Sequence, residues 1–266
     1  MMAARNIPLP RSYSCNTDMA DKLFSTKGLV LRTTKYGETS VVVNIFTELF
    51  GVQGYLVNGV RNSTKKGGSK ANLFQPGAIL DLVVYHNELK HLNRIKEFRW
   101  GYLYKTILSD VRKNAVALFM VELLTRCLKQ PEGNPDLFHF IEDAFIHLDE
   151  SDDAVMANFP LFFALHLPVF FGFRITDNYS DENPVLDLQE GSFIAKQPLH
   201  PHFLEGKPAQ VISQVLKVMQ PEELEQIKLN AETRRKILFT LETYYALHIQ
   251  EFGVMRTLPV LREILS

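Results

Sequence analysis

The feature that most constrains this chain is a run of five short segments with β-strand character between residues 27 and 98. The segments span residues 27–36, 40–49, 52–60, 77–86 and 88–98. In the fourth, Leu80, Leu82 and Val84 occupy alternate positions, which is the period-two pattern of a strand with one buried face. Five strands of this length, with turn residues between them, predict a small closed or nearly closed β-barrel.

The connection after the third segment, residues 61–70, is strongly cationic. It contains Arg61, Lys65, Lys66 and Lys70 and no acidic residue. Residues 1–98 hold 13 Lys and Arg against 7 Asp and Glu, whereas residues 99–266 hold 16 against 23. Because phosphate neutralisation is the main source of affinity for nucleic acid, the basic amino-terminal part is predicted to bind a polyanion. A chance difference between two solvated surfaces is the alternative.

Other cations lie on the predicted strands. Lys90, Arg94 and Lys96 would share one face of the fifth strand, and Arg32 and Lys35 lie in the first. Together with the loop they form the predicted DNA-contact set: Arg32, Lys35, Arg61, Lys65, Lys66, Lys70, Lys90, Arg94 and Lys96. Lysines on an exposed strand edge also block aggregation, so this second explanation stays open.

Three tyrosines of the same region are possible stacking platforms for bases. Tyr36, Tyr55 and Tyr85 each lie on a predicted strand. Aromatic side chains bind single strands by stacking on the bases. A wall or core position in a small barrel is the alternative for each of them.

After residue 98 the apolar spacing becomes helical. Helices are predicted at 111–129, 135–148, 158–171, 208–219, 221–229 and 232–252, with a last short helix through residue 265. Residues 172–206 are rich in loop formers, with two possible short strands at 185–188 and 191–194. The prediction is an α+β multidomain chain: a tail at 1–22 expected to be disordered, a five-stranded barrel at 23–98, and an all-α domain at 99–266.

Composition and motifs exclude several classes of function. The most apolar stretch, residues 159–173, is shorter than the roughly 20 residues of a membrane span and contains two prolines, so it is predicted to be core. Two cysteines, Cys15 and Cys127, fit a reducing cytoplasm and cannot form a four-thiolate zinc site. The sequence contains neither a Gly-x-Ser-x-Gly elbow nor a His-Glu-x-x-His helix. No catalytic site, metal or cofactor is therefore expected.

Several motifs resemble those of the RecO family of recombination mediators. They are KGLVLRTTKYGETS at 27–40, NGVR at 58–61, LFQP at 73–76, VELLTR at 121–126 and NPDLF at 134–138. The resemblance covers roughly residues 23–266. It implies an OB-fold first domain and a helical second domain, in a cytoplasmic bacterial protein associated with the nucleoid. The implied activity is binding of single- and double-stranded DNA and annealing of complementary strands.

The resemblance also implies protein partners. With RecR, such proteins help RecA to load onto DNA coated with single-strand binding protein (SSB), whose acidic tail ends in hydrophobic residues. Arg126, with Phe119 and Leu123, is the predicted site for the SSB tail, and Arg112 or Lys113 could supply the cation instead. Many family members carry a four-cysteine zinc module, but residues 172–206 contain no cysteine.

Two other functions remain open on the sequence. The first is an OB-fold adaptor that binds protein without contacting DNA directly. The second is a metal-dependent hydrolase that uses His200 and His202 with nearby carboxylates, although the proline between the two histidines, in a loop-rich segment, favours a surface turn.

Overall fold

The computed structural model describes residues 22–61, 70–129 and 132–265. The expectation of disorder for the tail, and the predicted contacts of Lys65 and Lys66, therefore fall on residues outside the described ranges. The exception is Lys22, which is predicted to end the tail but begins the first strand.

Five strands form a closed barrel in the order β1-β2-β3-β5-β4. They are β1 (Lys22–Tyr36), β2 (Ser40–Thr47), β3 (Gly51–Val57), β4 (Ile79–His86) and β5 (Asn93–Trp100). β3 and β5 are parallel, whereas the other neighbours are antiparallel. The 3₁₀ helix Lys70–Phe74 covers part of the barrel with the buried Phe74. The OB-type barrel followed by a helical region is confirmed.

The prediction for the fifth strand is wrong at its beginning. β5 begins at Asn93 instead of residue 88, so Lys90 lies in the preceding turn. The Asn93 side chain accepts a hydrogen bond from the Asn87 backbone at 3.2 Å, and the Asn87 side chain accepts one from Leu89 at 3.0 Å. These side-chain contacts close a turn where the alternating pattern alone predicts a continuous strand.

The barrel contributes to two hydrophobic cores. Val30, Val43 and Leu80 face its interior, whereas the outward-facing Phe46 and Ile79 join the core of the helical region. The rings of Phe46 and Phe138 lie 5.9 Å apart. The barrel is therefore packed against the helices by apolar side chains on its outer surface.

The helical region contains six α-helices within the described residues. They are α1 (Val111–Cys127), α2 (Pro135–Glu150), α3 (Asp153–His166), α4 (Lys207–Leu216), α5 (Ala231–His248) and α6 (Thr257–Ile264). Leu167–Phe171 and Pro221–Gln226 are 3₁₀ helices, the second of which is predicted as an α-helix. The apolar helical run Asp153–Phe171 is long enough to cross a membrane, but 67% of it is buried inside the protein, as in an ordinary core helix.

A small sheet lies between α3 and α4. Its strands are β6 (Val185–Asp187), β7 (Ser192–Ile194) and β8 (Phe203–Leu204), in the order β7-β6-β8. The first two match the predicted pair, and β8 is additional. A two-residue strand carries too little periodicity to be recognised from the sequence.

Asp149, at the end of α2, holds the segment that connects the barrel to α1. Its buried carboxylate accepts hydrogen bonds from the backbone of Lys105 at 2.7 Å and of Thr106 and Ile107, both at 2.8 Å. These three residues belong to the segment between β5 and α1. One side chain therefore holds this connecting segment against α2.

Candidate nucleic-acid interface

Both described ends of the cationic loop are anchored at one end of the barrel. Arg61 donates to the backbone carbonyl of Gly37 at 3.2 Å through Nη1 and to that of Thr39 at 3.0 Å through its backbone N–H. Ala71, beside Lys70, donates to the Val60 carbonyl at 3.1 Å. The chain thus leaves the barrel and returns to it beside the turn between β1 and β2.

A cleft lies between the 3₁₀ helix Lys70–Phe74 and strand β5, and it is called the β5 cleft below. It is lined by Lys70, Leu73, Lys96, Glu97, Phe98, Arg99 and Trp100. Lys70 connects this cleft to the cationic loop, because it is the first described residue after the loop. Arg99 is absent from the predicted contact set, because in a regular strand its odd spacing from Arg94 and Lys96 would place it on the opposite face.

The predicted cations do not all share one face. Arg32 and Lys35 are three residues apart on β1, with Asn44 and Val41 as their partners on β2, so they lie on opposite faces of the strand. Lys90 lines a different cavity, together with Glu88 and Glu132. The prediction that Lys90, Arg94 and Lys96 share one strand face is wrong, because Lys90 precedes β5.

The cations differ in how far carboxylates neutralise them. Lys96 lies 3.7 Å from Glu97, and Arg99 lies 3.0 Å from Asp81. Four exposed members of the predicted set have no ion pair with any described residue: Arg32, Lys35, Lys70 and Arg94. Exposed ion pairs contribute little energy, so the pairs at Lys96 and Arg99 can be exchanged for phosphate at low cost.

The three tyrosines have different environments. Tyr36 is 57% exposed, and Tyr85 is 36% exposed and lies opposite Arg94 in the sheet register. Tyr55 is fully buried, and its hydroxyl has no hydrogen-bond partner within the described structure. Burial raises the pKa of Tyr55. Tyr55 is therefore a core residue and cannot stack on a base, whereas the other two remain accessible.

The predicted site for a hydrophobic peptide tail is wrong as a surface notch. Phe119 and Leu123 are buried in the helical core. Arg126 pairs with Glu122 at 2.7 Å and donates to the backbone carbonyls of Phe252 and Val254. Residues 119, 123 and 126 do share one face of α1, but this face packs inward.

The two alternative cations for that site are also engaged. Arg112 pairs with Asp153 at 2.7 Å. Lys113 is buried and donates to the Asp149 carbonyl at 2.7 Å. The described part of α1 therefore offers none of the three predicted cations beside an open apolar notch.

The histidine pair forms a structural turn. His200 lies 3.2 Å from Asp187 through Nε2, and its Nδ1 accepts the backbone N–H of His202 at 3.3 Å. Both ring nitrogens of His200 are thus engaged within the protein. Among the described residues there is no group of three or more His, Cys, Asp or Glu side chains arranged to hold a metal ion.

Comparison with known proteins agrees with this architecture. Residues 19–103 match the family model "Recombination protein O N terminal", and residues 108–178 match "Recombination protein O C terminal". A "DNA repair protein RecO" from Phocaeicola vulgatus is 32% identical over 92% of this chain and 100% of its own length. Proteins of the same name from Christiangramia forsetii and Bacteroides fragilis are 32% and 31% identical, each over 91% of this chain and 99% of their own length. The chain therefore belongs to the RecO family of DNA repair proteins.

Proposed function

We propose that this chain is a non-enzymatic DNA-binding mediator of recombinational repair. It binds single- and double-stranded DNA, anneals complementary strands and, with RecR, helps RecA to load onto DNA coated with SSB. The observation that carries the proposal is the group of exposed barrel cations that form no ion pair with a described residue, with both described ends of the cationic loop anchored at one end of the barrel.

A surface with exposed cations is suited to annealing complementary strands. Two polyanionic strands repel each other, and bound cations reduce that repulsion without general acid or base chemistry. Arg32, Arg61 and Arg94 can make bidentate contacts with phosphate, whereas lysines act as point charges. The barrel therefore holds the DNA.

The helical region is assigned to the protein partners. Its net charge is opposite in sign to that of the barrel, since residues 99–266 contain 16 basic and 23 acidic residues. The SSB tail and RecR are the proposed partners. Arg126, Phe119 and Leu123 are not proposed as the binding site for the SSB tail. The site of action is the cytoplasm, at the nucleoid.

Salt-dependent DNA binding tests the role of the cationic loop. In the triple variant Lys65→Ala, Lys66→Ala, Lys70→Ala, the slope of log affinity against log salt should become shallower by about 2.1 for single strands, at about 0.7 per lost contact. Affinity should fall for all sequences about equally, because phosphate contacts carry no sequence information. The measurement is fluorescence anisotropy of labelled oligonucleotides at several salt concentrations.

A matched control removes the same charge from the helical region. Lys196, Lys228 and Lys236 are exposed there, and none has an ion pair with a described residue. Their triple alanine variant should keep the wild-type slope. An equal loss in both variants would show a net-charge effect instead of a site. Absence of any binding by the wild type at low salt would favour the adaptor function.

A further inference from the structure

Three cavities on the described barrel surface differ in the charge of their lining residues. The β5 cleft has a volume of about 540 Å³ and is lined by three cations and one carboxylate. A cavity of about 510 Å³ beside β1 is lined by two cations and three carboxylates, and one of about 600 Å³ beside Lys90 by one cation and two carboxylates. Glu97, Phe98 and Arg99 line both the β5 cleft and the cavity beside β1, so the charged residues of the two differ by Lys70 and Lys96 in the first and by Lys27, Glu48 and Asp81 in the second. A polyanion is therefore attracted more strongly to the β5 cleft than to the other two cavities.

A bulge in β5 shapes this cleft. The register between β4 and β5 shifts at Val83 and Val84, which pair with Glu97 and Ile95 and leave Lys96 without an opposite residue. Lys96 and Glu97 are consequently both exposed, and Phe98 turns toward the barrel core. Bulges reorient side chains in this way, so Lys96 faces the cleft beside Lys70.

The cleft also has an apolar floor. Leu73, Phe98 and Trp100 line it and are only partly buried against the barrel core. The Phe98 ring packs on the buried Phe74 ring with 4.8 Å between centroids, which fixes its position. An unpaired base can place its flat face on such a floor, whereas the bases of a duplex are already stacked on each other.

We infer that the β5 cleft is a binding site for single-stranded nucleic acid, with phosphates at Lys70 and Lys96 and an unpaired base on the floor formed by Leu73, Phe98 and Trp100. Arg99, whose side chain is 82% exposed at the rim, is the third phosphate contact. This inference rests on the proposed function and adds the face of the barrel that the strand occupies. It also predicts that this cleft prefers unpaired strands to duplex.

Trp100 provides a direct measurement, because the chain contains a single tryptophan. A thymidine oligonucleotide should quench its emission and protect it from acrylamide, whereas a duplex of equal length should do so much less. The variant Lys70→Ala, Lys96→Ala should lower single-strand affinity about 25-fold at 0.1 M salt, since two lost contacts change the salt slope by about 1.4 and the affinities converge near 1 M. Duplex affinity should fall less.

The results of these measurements distinguish failure of the β5 cleft as a single-strand site from failure of the proposed DNA-binding function. The inference is supported if quenching of Trp100 emission by single-stranded DNA weakens in the variant Lys70→Ala, Lys96→Ala. The control variant Lys196→Ala, Lys228→Ala should keep the wild-type quenching. If wild-type protein binds DNA without a change in Trp100 emission, the cleft is not a single-strand site, although DNA binding itself stands. The same conclusion follows if the variant Lys70→Ala, Lys96→Ala loses affinity equally for single strands and for duplex. If wild-type protein binds neither form of DNA, the proposed function fails as well.

Discussion

Replacing Asp149 with alanine tests how the segment between the barrel and α1 is held to α2. The carboxylate is buried and accepts three backbone hydrogen bonds, from Lys105, Thr106 and Ile107, at 2.7–2.8 Å. An unsatisfied buried donor costs about 1–3 kcal/mol, and water entering the vacated space recovers part of this. The free energy of unfolding should therefore fall by about 3–5 kcal/mol, which is a large share of the stability of a typical protein.

The variant Asp149→Asn adds a test of the charge at nearly constant shape. Burial alone would raise the pKa of Asp149, but the hydrogen bonds from Lys105, Ile107 and Thr106 outweigh it and lower the pKa below its ordinary value. A carboxyl group with a lowered pKa stabilises the fold above its unfolded pKa of about 3.9, and this contribution disappears as the pH falls through the folded value. Because asparagine does not titrate, the Asp149→Asn protein should lack this contribution at every pH. Its free energy of unfolding should therefore fall less than that of the wild type as the pH is lowered.

Urea unfolding followed by far-ultraviolet circular dichroism measures both variants between pH 3 and pH 7. Asp181→Ala is the control, because Asp181 is exposed in a loop and should change stability by less than about 0.5 kcal/mol. An Asp149→Ala protein within about 1 kcal/mol of wild type would refute the assigned role. So would an Asp149→Asn protein with an unchanged pH profile.

Two further changes test other polar side chains. Glu122→Gln should lower the free energy of unfolding by about 2–3 kcal/mol and speed amide hydrogen exchange in α6. The reason is that the Glu122 carboxylate accepts the backbone N–H groups of Arg256 and Thr257 and pairs with Arg126. Unchanged exchange in α6 would contradict this. Tyr55→Phe should raise the urea midpoint by an amount equivalent to about 1 kcal/mol, because it removes a buried hydroxyl that has no partner among the residues the structure describes; a lower midpoint would show that the hydroxyl is bonded.

The barrel was predictable because its signal is local. Alternating apolar residues such as Leu80, Leu82 and Val84 occupy one face of a strand, and all three are buried in the barrel core. The beginning of β5 was not predictable in the same way, since the side chains of Asn87 and Asn93 close a turn that the pattern does not show. The family motifs were also local, and the family is confirmed.

The candidate site was predictable in its charge but not in its arrangement. The loop cations follow from composition, and hydrogen bonds of Arg61 and of Ala71, beside Lys70, anchor the described ends of the loop at the barrel. The assignment of Lys90 to the same face failed because of the turn before β5. The bulge that exposes Lys96 beside Glu97 depends on the register with β4, which strand periodicity cannot reveal.

The sequence by itself determined the order of strands and helices, the excess of positive charge in the first part, and the family. Only the tertiary structure decided which faces are buried. Phe119, Leu123 and Arg126 share a helix face in either case, but Phe119 and Leu123 are buried, and Arg126 donates to the carbonyls of Phe252 and Val254, more than a hundred residues away. Burial depends on such distant partners, whereas periodicity depends only on neighbours along the chain.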